Sequence, residues 1–271
     1  MRKQLPLGLV LEGSSSRSAI LRLPHLAHEL GPIKASSTRL ARRFSNLVKG
    51  GYPVAGYEEL QDAAVILIRV PDSDARRVVD ELCSSELVLN RMSFVLCDTW
   101  LGTEALAPLR ERGASVATLA RLPAIERNWF AVEGQLRASR LIGRVIEKHE
   151  GRVFEMKMGT KHLLFAATML INVLPLPLLA IAQHTLRSGG ITGNDLAALL
   201  EGLAARTARE VTQRVRLPMA ELPADCADDL AKRLMSALKC SRPALAAFIH
   251  EQQNASAKLI NEAWKNATDG G

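Results

Sequence analysis

The sequence predicts an α/β fold: a doubly wound, mainly parallel sheet followed by an all-α C-terminal domain. Up to Lys157, short apolar runs alternate with amphipathic stretches at helical spacing, which is typical of right-handed βαβ crossovers. After Lys157 no further strand pattern occurs, and residues 160–268 have helical patterns only. The predicted breaks in those helices lie at Pro175 and Pro177, Gly189-Gly190, Pro218–Pro223 and Pro243. We therefore predict two domains, residues 1–157 and 158–271.

Seven strands are predicted, and the run "AAVILIRV" at 63–70 is the clearest because it is apolar throughout, as in a strand buried on both faces. The others are predicted at 7–11, 32–36, 93–98, 115–120, 129–134 and 152–157. Helices are predicted at 18–30, after a cap at Ser36 or Ser37, after "PDSD", at 102–113 and at 135–149. Pro24 is an irregularity in the first of these helices because it lacks an N–H donor.

Composition limits the possible classes of protein. Of the 271 residues 48% are hydrophobic but only 4% are aromatic, so the core consists mainly of aliphatic side chains. The cysteines are far apart and form no C-x-x-C pair, and the histidines show no ligand spacing; the four cysteines are Cys83, Cys97, Cys226 and Cys240. This pattern favours neither a zinc site nor a disulfide framework, and predicts no metal and a cytoplasmic location.

The chain is basic, with a formal net charge of +7 and a pI of about 9.5. Most arginines alternate with acids at helical spacing, as in "RRVVDEL", which indicates solvated helix faces. The sequence has no zinc finger, aromatic stacking motif or helix-turn-helix pattern, so nucleic acid is not a predicted partner.

One stretch, Leu163 to Ala182, is uncharged over a length that could span a membrane. Asn172, Pro175 and Pro177 interrupt it, and no second such stretch exists. A helix that is apolar on all sides can also be the buried central helix of a helical domain. We predict the buried helix and no membrane association, with a membrane span as the alternative.

The loop after the first strand reads "EGSSSRS". In an open parallel sheet this position holds the phosphates of a nucleotide, and glycines normally allow the close approach. Gly13 is present, whereas Ser14, Ser15 and Ser16 bring hydroxyls and Arg17 brings a positive charge. The loop is consistent with a phosphate site built on a helix N-terminus, or with a plain polar turn.

The end of the second strand supports the first interpretation. An acid there would bind a ribose 2′-hydroxyl, but "ASSTRLARR" contains hydroxyls and arginines and no acid. Ser37 and Arg39 are suited to a 2′-phosphate, and hence to NADP. The alternative is a capped surface helix with a basic face.

These stretches, together with "VPDSDARRVVDEL", "LGTEALAPLRERGASVATLARLP", "WFAVEG", "GRVFEMK" and "FAATMLINVLPLPLLAIAQHTLRSGGI", cover most of the chain. In them the chain resembles the Rossmann-like family of uncharacterised NADP-dependent oxidoreductases with an α-helical C-terminal domain of unknown function. It is more distantly similar to pyrroline-5-carboxylate reductases and to 6-phosphogluconate and β-hydroxyacid dehydrogenases. The resemblance implies a nucleotide at the Gly13–Ser18 loop, with Val70, Pro71 and Asp72 beside its nicotinamide end. It also implies a helical domain that dimerises and closes the cleft.

The chain differs from this family at motif positions whose side chains could transfer protons. Leu96-Cys97-Asp98-Thr99 stands where the family has a His-Thr-Ser-Gly turn, and Ala120-Arg121 where it has His-Pro. Leu163-Leu164 replaces a Tyr-His pair, and of a Ser-Asn pair only Asn172 is kept. Reduction of a carbonyl or imine normally needs a proton donor. Asp98, Lys161 and Asn172 are the candidates to replace it, although Asn172 could be a core amide and Asp72 a helix N-cap.

The sequence therefore predicts an NADP-dependent oxidoreductase of unknown small substrate that forms a homodimer through residues 160–268. The alternative is a non-catalytic nucleotide-binding or dimeric interaction protein that kept the scaffold and lost the proton donor.

Overall fold

The computed structural model describes residues 7–12, 19–122, 128–213 and 236–268. The chain divides into two compact units, Met1–Pro177 and Leu178–Gly271, and each is described by itself.

The first unit is built on one eight-stranded sheet in the order β3-β2-β1-β4-β5-β6-β7-β8. All neighbouring strands are parallel except β6 and β7, which are antiparallel. The strands are β1 Leu7–Leu11, β2 Leu30–Ala35, β3 Tyr52–Val54, β4 Val65–Arg69, β5 Ser93–Cys97, β6 Ser115–Arg121, β7 Trp129–Gly134 and β8 Arg152–Met156. The predicted doubly wound, mainly parallel sheet is confirmed. The three-residue edge strand β3 was not predicted, because "YPV" is too short to form a pattern.

Eight α-helices have their bounds in the described part of the chain, where residues 236–241 are helical as well. They are α1 Thr38–Val48, α2 Ala75–Ser84, α3 Ala107–Glu111, α4 Leu136–Lys148, α5 Lys161–Thr168, α6 Pro175–Ser188, α7 Gly193–Gln213 and α8 Pro243–Thr268. The predicted helix at 102–113 is a 3-10 turn, Thr103–Leu106, followed by the short α3. The all-α character predicted for the C-terminal part holds for its described residues.

The sheet has a separate apolar core on each face because side chains alternate along every strand. Leu9 and Leu67 belong to one core, and their neighbours Val10 and Ile68 to the other. All four are almost completely buried. Burial on both faces explains the continuous apolar run that predicted β4.

The predicted helix at 18–30 is wrong. The chain between β1 and β2 forms two 3-10 segments, Ile20–Arg22 and Leu26–Glu29, and Leu30 already begins β2. Pro24 has no N–H to donate, and His25 after it has a left-handed backbone with a φ of 61°. These two residues prevent a continuous helix, so the crossover has no α-helix among its described residues.

The predicted break at Pro175 and Pro177 is also wrong. One helix runs from Lys161 to Ser188, and a π turn at Met169–Val173 leads into the prolines. In this turn the Leu174 N–H donates to the Met169 carbonyl at 3.0 Å, five residues back. A widened turn accommodates prolines because they cannot supply the usual helical hydrogen bonds.

The other predicted breaks lie at helix ends. Helix α6 ends at Ser188 before Gly189-Gly190, where Gly190 has a φ of 90°, and α8 begins at Pro243. The predicted break at Pro218–Pro223 lies outside the described residues.

The expected burial of the apolar helix is not observed in this chain. Leu163, Ile171 and Leu176 are 59%, 72% and 61% exposed. The helix Lys161–Ser188 has 28 residues, and an 18-residue stretch of it has a mean hydropathy of 2.1, so by length and composition alone it could cross a membrane. One such helix is weak evidence, because helices covered in an assembly have the same composition.

Candidate functional site

The candidate site lies where the parallel strands end. Strand β1 is flanked by β2 and β4, so the direction of strand succession reverses between β1 and β4, and ligands of open α/β sheets bind at such a point. The first cavity there, which we call the switch-point cavity, has a volume of 210 Å³ and is lined by Ala19, Arg69, Asp98, Thr99, Trp100, Ala120 and Arg121. Trp100 also lines a second cavity, the lysine cavity, of 350 Å³. Its other lining residues are Gly102, Glu104, Glu133, Gly159, Lys161, His162 and Phe165.

Asp98 is fixed in the wall of the switch-point cavity. It follows β5 with a left-handed φ of 55°, a conformation that Asp tolerates better than most residues. Its Oδ2 accepts a hydrogen bond from the Ala19 N–H at 3.0 Å and lies 3.3 Å from the Arg69 Nε. The carboxylate therefore connects the end of β4 with the beginning of the irregular crossover.

The Val70-Pro71-Asp72 turn is tied to the same place. The Thr99 hydroxyl donates to Asp72 Oδ1 at 2.6 Å and accepts from the Leu101 N–H at 2.9 Å. Asp72 is not an N-cap, because α2 begins at Ala75 and Asp74 occupies the cap position. The alternative role for Asp72 is thus wrong, and the residue instead holds the turn against the segment after β5.

Lys161 is the most unusual side chain of the site. It is only 2% exposed, and its Nζ donates to the Leu101 carbonyl and to the Thr118 hydroxyl, both at 2.9 Å. Burial lowers the pKa of Lys161 to about 8, although the negative charges of Glu133 and Asp72 act in the opposite direction. A buried amine with this pKa can give or take a proton near neutral pH.

Glu133, which the sequence analysis did not identify, anchors this lysine. It is completely buried opposite Thr118 in the β6–β7 ladder. Its Oε1 accepts from the Thr103 N–H, the Thr103 hydroxyl and the Gly159 N–H at 3.1–3.2 Å, and its Oε2 accepts from the Lys161 N–H at 3.1 Å. The signal was present in the sequence: an acid at the inward position of the apolar run "WFAVEG".

These hydrogen bonds favour the ionised form of Glu133. Burial alone would raise its pKa, but the hydrogen bonds from Gly159 and Thr103 and the charge of Lys161 outweigh burial and lower the pKa below its usual value. A fixed anion therefore stands at the first residue of α5, where the helix dipole also favours a negative charge.

The rest of the lysine cavity is partly aromatic. The rings of Trp100 and Phe165 meet edge to face with centroids 5.4 Å apart, and both are partly exposed. Together with Lys161 they form a wall suited to a small, partly apolar molecule that carries one polar group.

The predicted cofactor residues are only partly within the described chain. Gly13, Ser14, Ser15, Ser16 and Arg17 lie outside it. Ser37 is the N-cap of α1, where its hydroxyl accepts from the Leu40 N–H at 3.2 Å, and Arg39 is exposed in the first turn of the same helix. Both side chains are accessible at the end of β2, as a site for a 2′-phosphate requires.

Asn172 is not brought to the site in this chain. It lies in the π turn, it is exposed, and it lines neither cavity. The described residues also contain no cluster of three or more His, Cys, Asp or Glu side chains that could hold a metal ion.

Comparison with known proteins identifies the fold. No protein-family model matches the sequence, and no curated protein matches it. Among solved structures, the chain is similar to a proposed NADP oxidoreductase of Bacteroides fragilis, at 12% identity and a TM-score of 0.68 over 93% of this chain and 97% of that one. It is also similar to a pyrroline-5-carboxylate reductase of Coxiella burnetii, at 12% identity and a TM-score of 0.59 over 96% and 98%.

A third similar structure is an imine reductase of Myxococcus stipitatus in complex with NADP+, at 16% identity and a TM-score of 0.59 over 96% of this chain and 94% of that one. The chain thus has the Rossmann-like fold with a helical C-terminal part that these oxidoreductases have. The resemblance predicted from the sequence is confirmed at the level of the fold.

Proposed function

We propose that the protein is an NADP-dependent oxidoreductase that reduces a small molecule containing a carbonyl or imine group. The observation that carries this proposal is the buried Lys161, with a pKa of about 8, in the wall of a 350 Å³ cavity that adjoins the strand ends of a Rossmann-like sheet. The cofactors of the structurally similar reductases support it.

In this proposal Lys161 is the proton donor. The nicotinamide supplies a hydride to the carbon of the substrate, and the Lys161 ammonium group supplies the proton to its oxygen or nitrogen. The Leu101 carbonyl and the Thr118 hydroxyl hold the amine in place. Asp98 and the Asp72–Thr99 pair hold the walls of the adjoining switch-point cavity.

The fit to the cofactor differs between its two ends. At the 2′-phosphate end, Ser37 and Arg39 are exposed and no acid is present in "ASSTRLARR". At the diphosphate end, the usual α-helix N-terminus is replaced by 3-10 segments in the described residues. We infer that the protein binds NADPH more tightly than NADH. We also infer that its affinity for NADPH is lower than that of a protein with the complete helix.

The test is the oxidation of NADPH, followed by absorbance, with a panel of small ketones, imines and keto acids. Lys161→Met should lower kcat by about 10²- to 10⁴-fold, the usual contribution of a general acid. Lys157→Met is the matched control, since Lys157 is exposed and lies outside the cavity lining. Equal rates in all three proteins would remove Lys161 from the mechanism.

A second candidate is a non-catalytic nucleotide-binding or dimeric interaction protein on the same scaffold. The specific observation in its favour is that the described residues of the crossover contain no α-helix and that the Ala19 N–H is already bonded to a carboxylate. NADPH binding without turnover of any substrate in the panel would favour this candidate over the reductase.

We also propose a cytoplasmic homodimer formed through residues 160–268. The dimer is supported by the exposed apolar surface of the helix Lys161–Ser188, which would be costly to leave in water. The cytoplasmic location is supported by the free thiols of Cys83, Cys97 and Cys240. Light scattering at micromolar protein concentration should give twice the mass of 29.5 kDa. A monomer in solution would contradict the dimer, and partition into vesicles would favour the membrane span.

A further inference from the structure

A third cavity lies near the beginnings of β4 and β5, at the opposite ends of these strands from the switch-point cavity. Its volume is 430 Å³, and it is lined by Ala64, Leu136, Arg137, Arg140, Leu141 and Arg144. Ala64 directly precedes β4, and the Arg137 guanidinium donates to the carbonyl of Arg91, shortly before β5, at 2.6 Å. This arginine groove is therefore at the edge where parallel strands begin, away from the switch-point cavity.

The three arginines follow one another at intervals of three and four residues, so they share one face of α4. At 1.5 Å per residue, the first and last are about 10 Å apart along the helix axis. The guanidinium groups thus form a row with the positive charge spread along the groove.

No carboxylate of the described chain forms an ion pair with this row. Arginines and lysines elsewhere do find acids: Arg77 pairs with Glu12 and Glu81, and Lys148 at the end of α4 pairs with Glu29. None of the ion pairs within the described residues involves the three groove arginines. Three like charges concentrated in one concave surface repel each other, and an anion with several charges relieves that repulsion.

The groove has the dimensions and lining of a ligand site rather than of a flat basic surface. Its volume is within the usual range for small-molecule sites, about 300–1,000 Å³. Leu136, which is 58% exposed, and the half-buried Leu141 add apolar surface beside the arginines. The planar guanidinium group binds phosphate in a bidentate manner, which lysine cannot do.

We propose that the arginine groove binds a linear triphosphate chain, either as inorganic tripolyphosphate or as part of a nucleoside triphosphate. A row of three guanidinium groups over about 10 Å can contact successive phosphates of such a chain. Binding at this edge is independent of the oxidoreductase proposal, because none of the groove residues lines the switch-point cavity or the lysine cavity.

The proposal can be tested by calorimetric titration of the full-length protein with inorganic tripolyphosphate, ATP, AMP and adenosine at constant ionic strength. Tripolyphosphate and ATP should bind with a dissociation constant below about 1 mM, and AMP at least about tenfold more weakly. ATP binding tighter than tripolyphosphate would identify a nucleotide that uses the apolar wall. Equal affinities would identify the phosphate chain alone as the ligand.

Substitutions test whether the arginine groove is the site at which tripolyphosphate binds. The triple change Arg137→Gln, Arg140→Gln, Arg144→Gln should weaken tripolyphosphate binding by at least about 100-fold, and Arg140→Gln alone by about tenfold. The matched control is Arg42→Gln, Arg76→Gln, Arg110→Gln, which removes the same charge from exposed positions on three other helices. It should change the affinity by less than about threefold.

Two results would overturn the proposal. One is an equal loss of affinity in both triple variants, which would mean attraction by net charge only. The other is no binding of tripolyphosphate or ATP to the unchanged protein at about 1 mM. If the groove triple variant unfolds, as judged by circular dichroism, Arg140→Lys decides instead: it keeps the charge but should still lose binding about fivefold, because the fork-shaped donor is gone.

Discussion

The segment after β1 and the segment that leads into α5 each form a wall of one of two cavities that share Trp100, and these two walls are built in opposite ways. Between β1 and β2 the described chain forms short 3-10 segments around Pro24, with no α-helix. Before α5, by contrast, a single buried carboxylate, Glu133, accepts four hydrogen bonds and fixes the turn at Gly159 and the first residue of α5.

The difference indicates which part of the site is under the stronger structural constraint. A buried charge is tolerated only when its partners are all in place, so Glu133 and Lys161 allow little variation around them. Between β1 and β2 the described residues contain no α-helix of the kind that normally binds a diphosphate, and the sheet forms without one. The comparison predicts large effects of substitution near Lys161 and smaller effects near Arg39.

The largest effect is expected for Glu133→Gln. The amide keeps the size of the side chain but removes the charge, and it turns N–H groups toward other donors. We expect a loss of about 3–5 kcal/mol in the free energy of unfolding, measured in urea at neutral pH. Glu155→Gln, an exposed position on β8, is the control and should change stability by less than about 0.5 kcal/mol.

The stability of the Glu133→Gln variant at acidic pH tests whether Glu133 is ionised in the folded protein. Because the folded protein lowers the pKa of Glu133, its contribution is present above the unfolded pKa of 4.5 and is lost as the pH falls through the lower folded pKa. The stability difference between the wild type and Glu133→Gln should therefore shrink below about pH 4. A difference that is constant down to pH 2 would mean that the carboxylate is not ionised in the folded protein.

The next effect concerns Lys161 at high pH. Its folded pKa is about 8, whereas the ordinary value is 10.5, so between these values the unfolded chain binds more protons and stability rises with pH. Between pH 7.5 and pH 10 the rise should be about 2 kcal/mol relative to Lys161→Met, which lacks this group. Urea unfolding of both proteins at pH 7.5 and pH 10 measures it, and parallel pH dependences would contradict a buried amine.

How much of this could be predicted from the sequence depends on the range of the interactions. The sheet was predictable because strands such as β4 are apolar on both faces, and α4 because the helical spacing of its apolar residues is a local pattern. The crossover was mispredicted since its helical spacing suggested a helix, while Pro24 and the left-handed His25 determine the actual path.

For the candidate site, the sequence predicted Lys161 and Asp98, which line the two cavities, but not the residue that holds Lys161 in place. Glu133 is 28 positions from Lys161, and only the pairing of β6 with β7 brings it to Thr118 and the start of α5. Asn172 was selected on the assumption that it is buried, and whether its apolar helix is covered depends on assembly, which the sequence of one chain does not determine.

The smallest of the three effects is expected at the nucleotide end. Arg39 is exposed, so its removal should not affect folding, but a charge-assisted hydrogen bond to a 2′-phosphate contributes about 1.5–3 kcal/mol. Arg39→Ala should weaken NADPH binding by about ten- to a hundredfold and leave NADH binding nearly unchanged, as measured by calorimetric titration. Arg43→Ala, an exposed arginine one helical turn further along α1, is the control and should alter neither affinity by more than about threefold.

Equal affinities of the unchanged protein for the two cofactors would refute the assignment of Ser37 and Arg39 to a 2′-phosphate. If neither cofactor binds at about 1 mM, the crossover, whose described residues contain no α-helix, provides no diphosphate site, and the comparison of the two walls then favours the non-catalytic interaction protein.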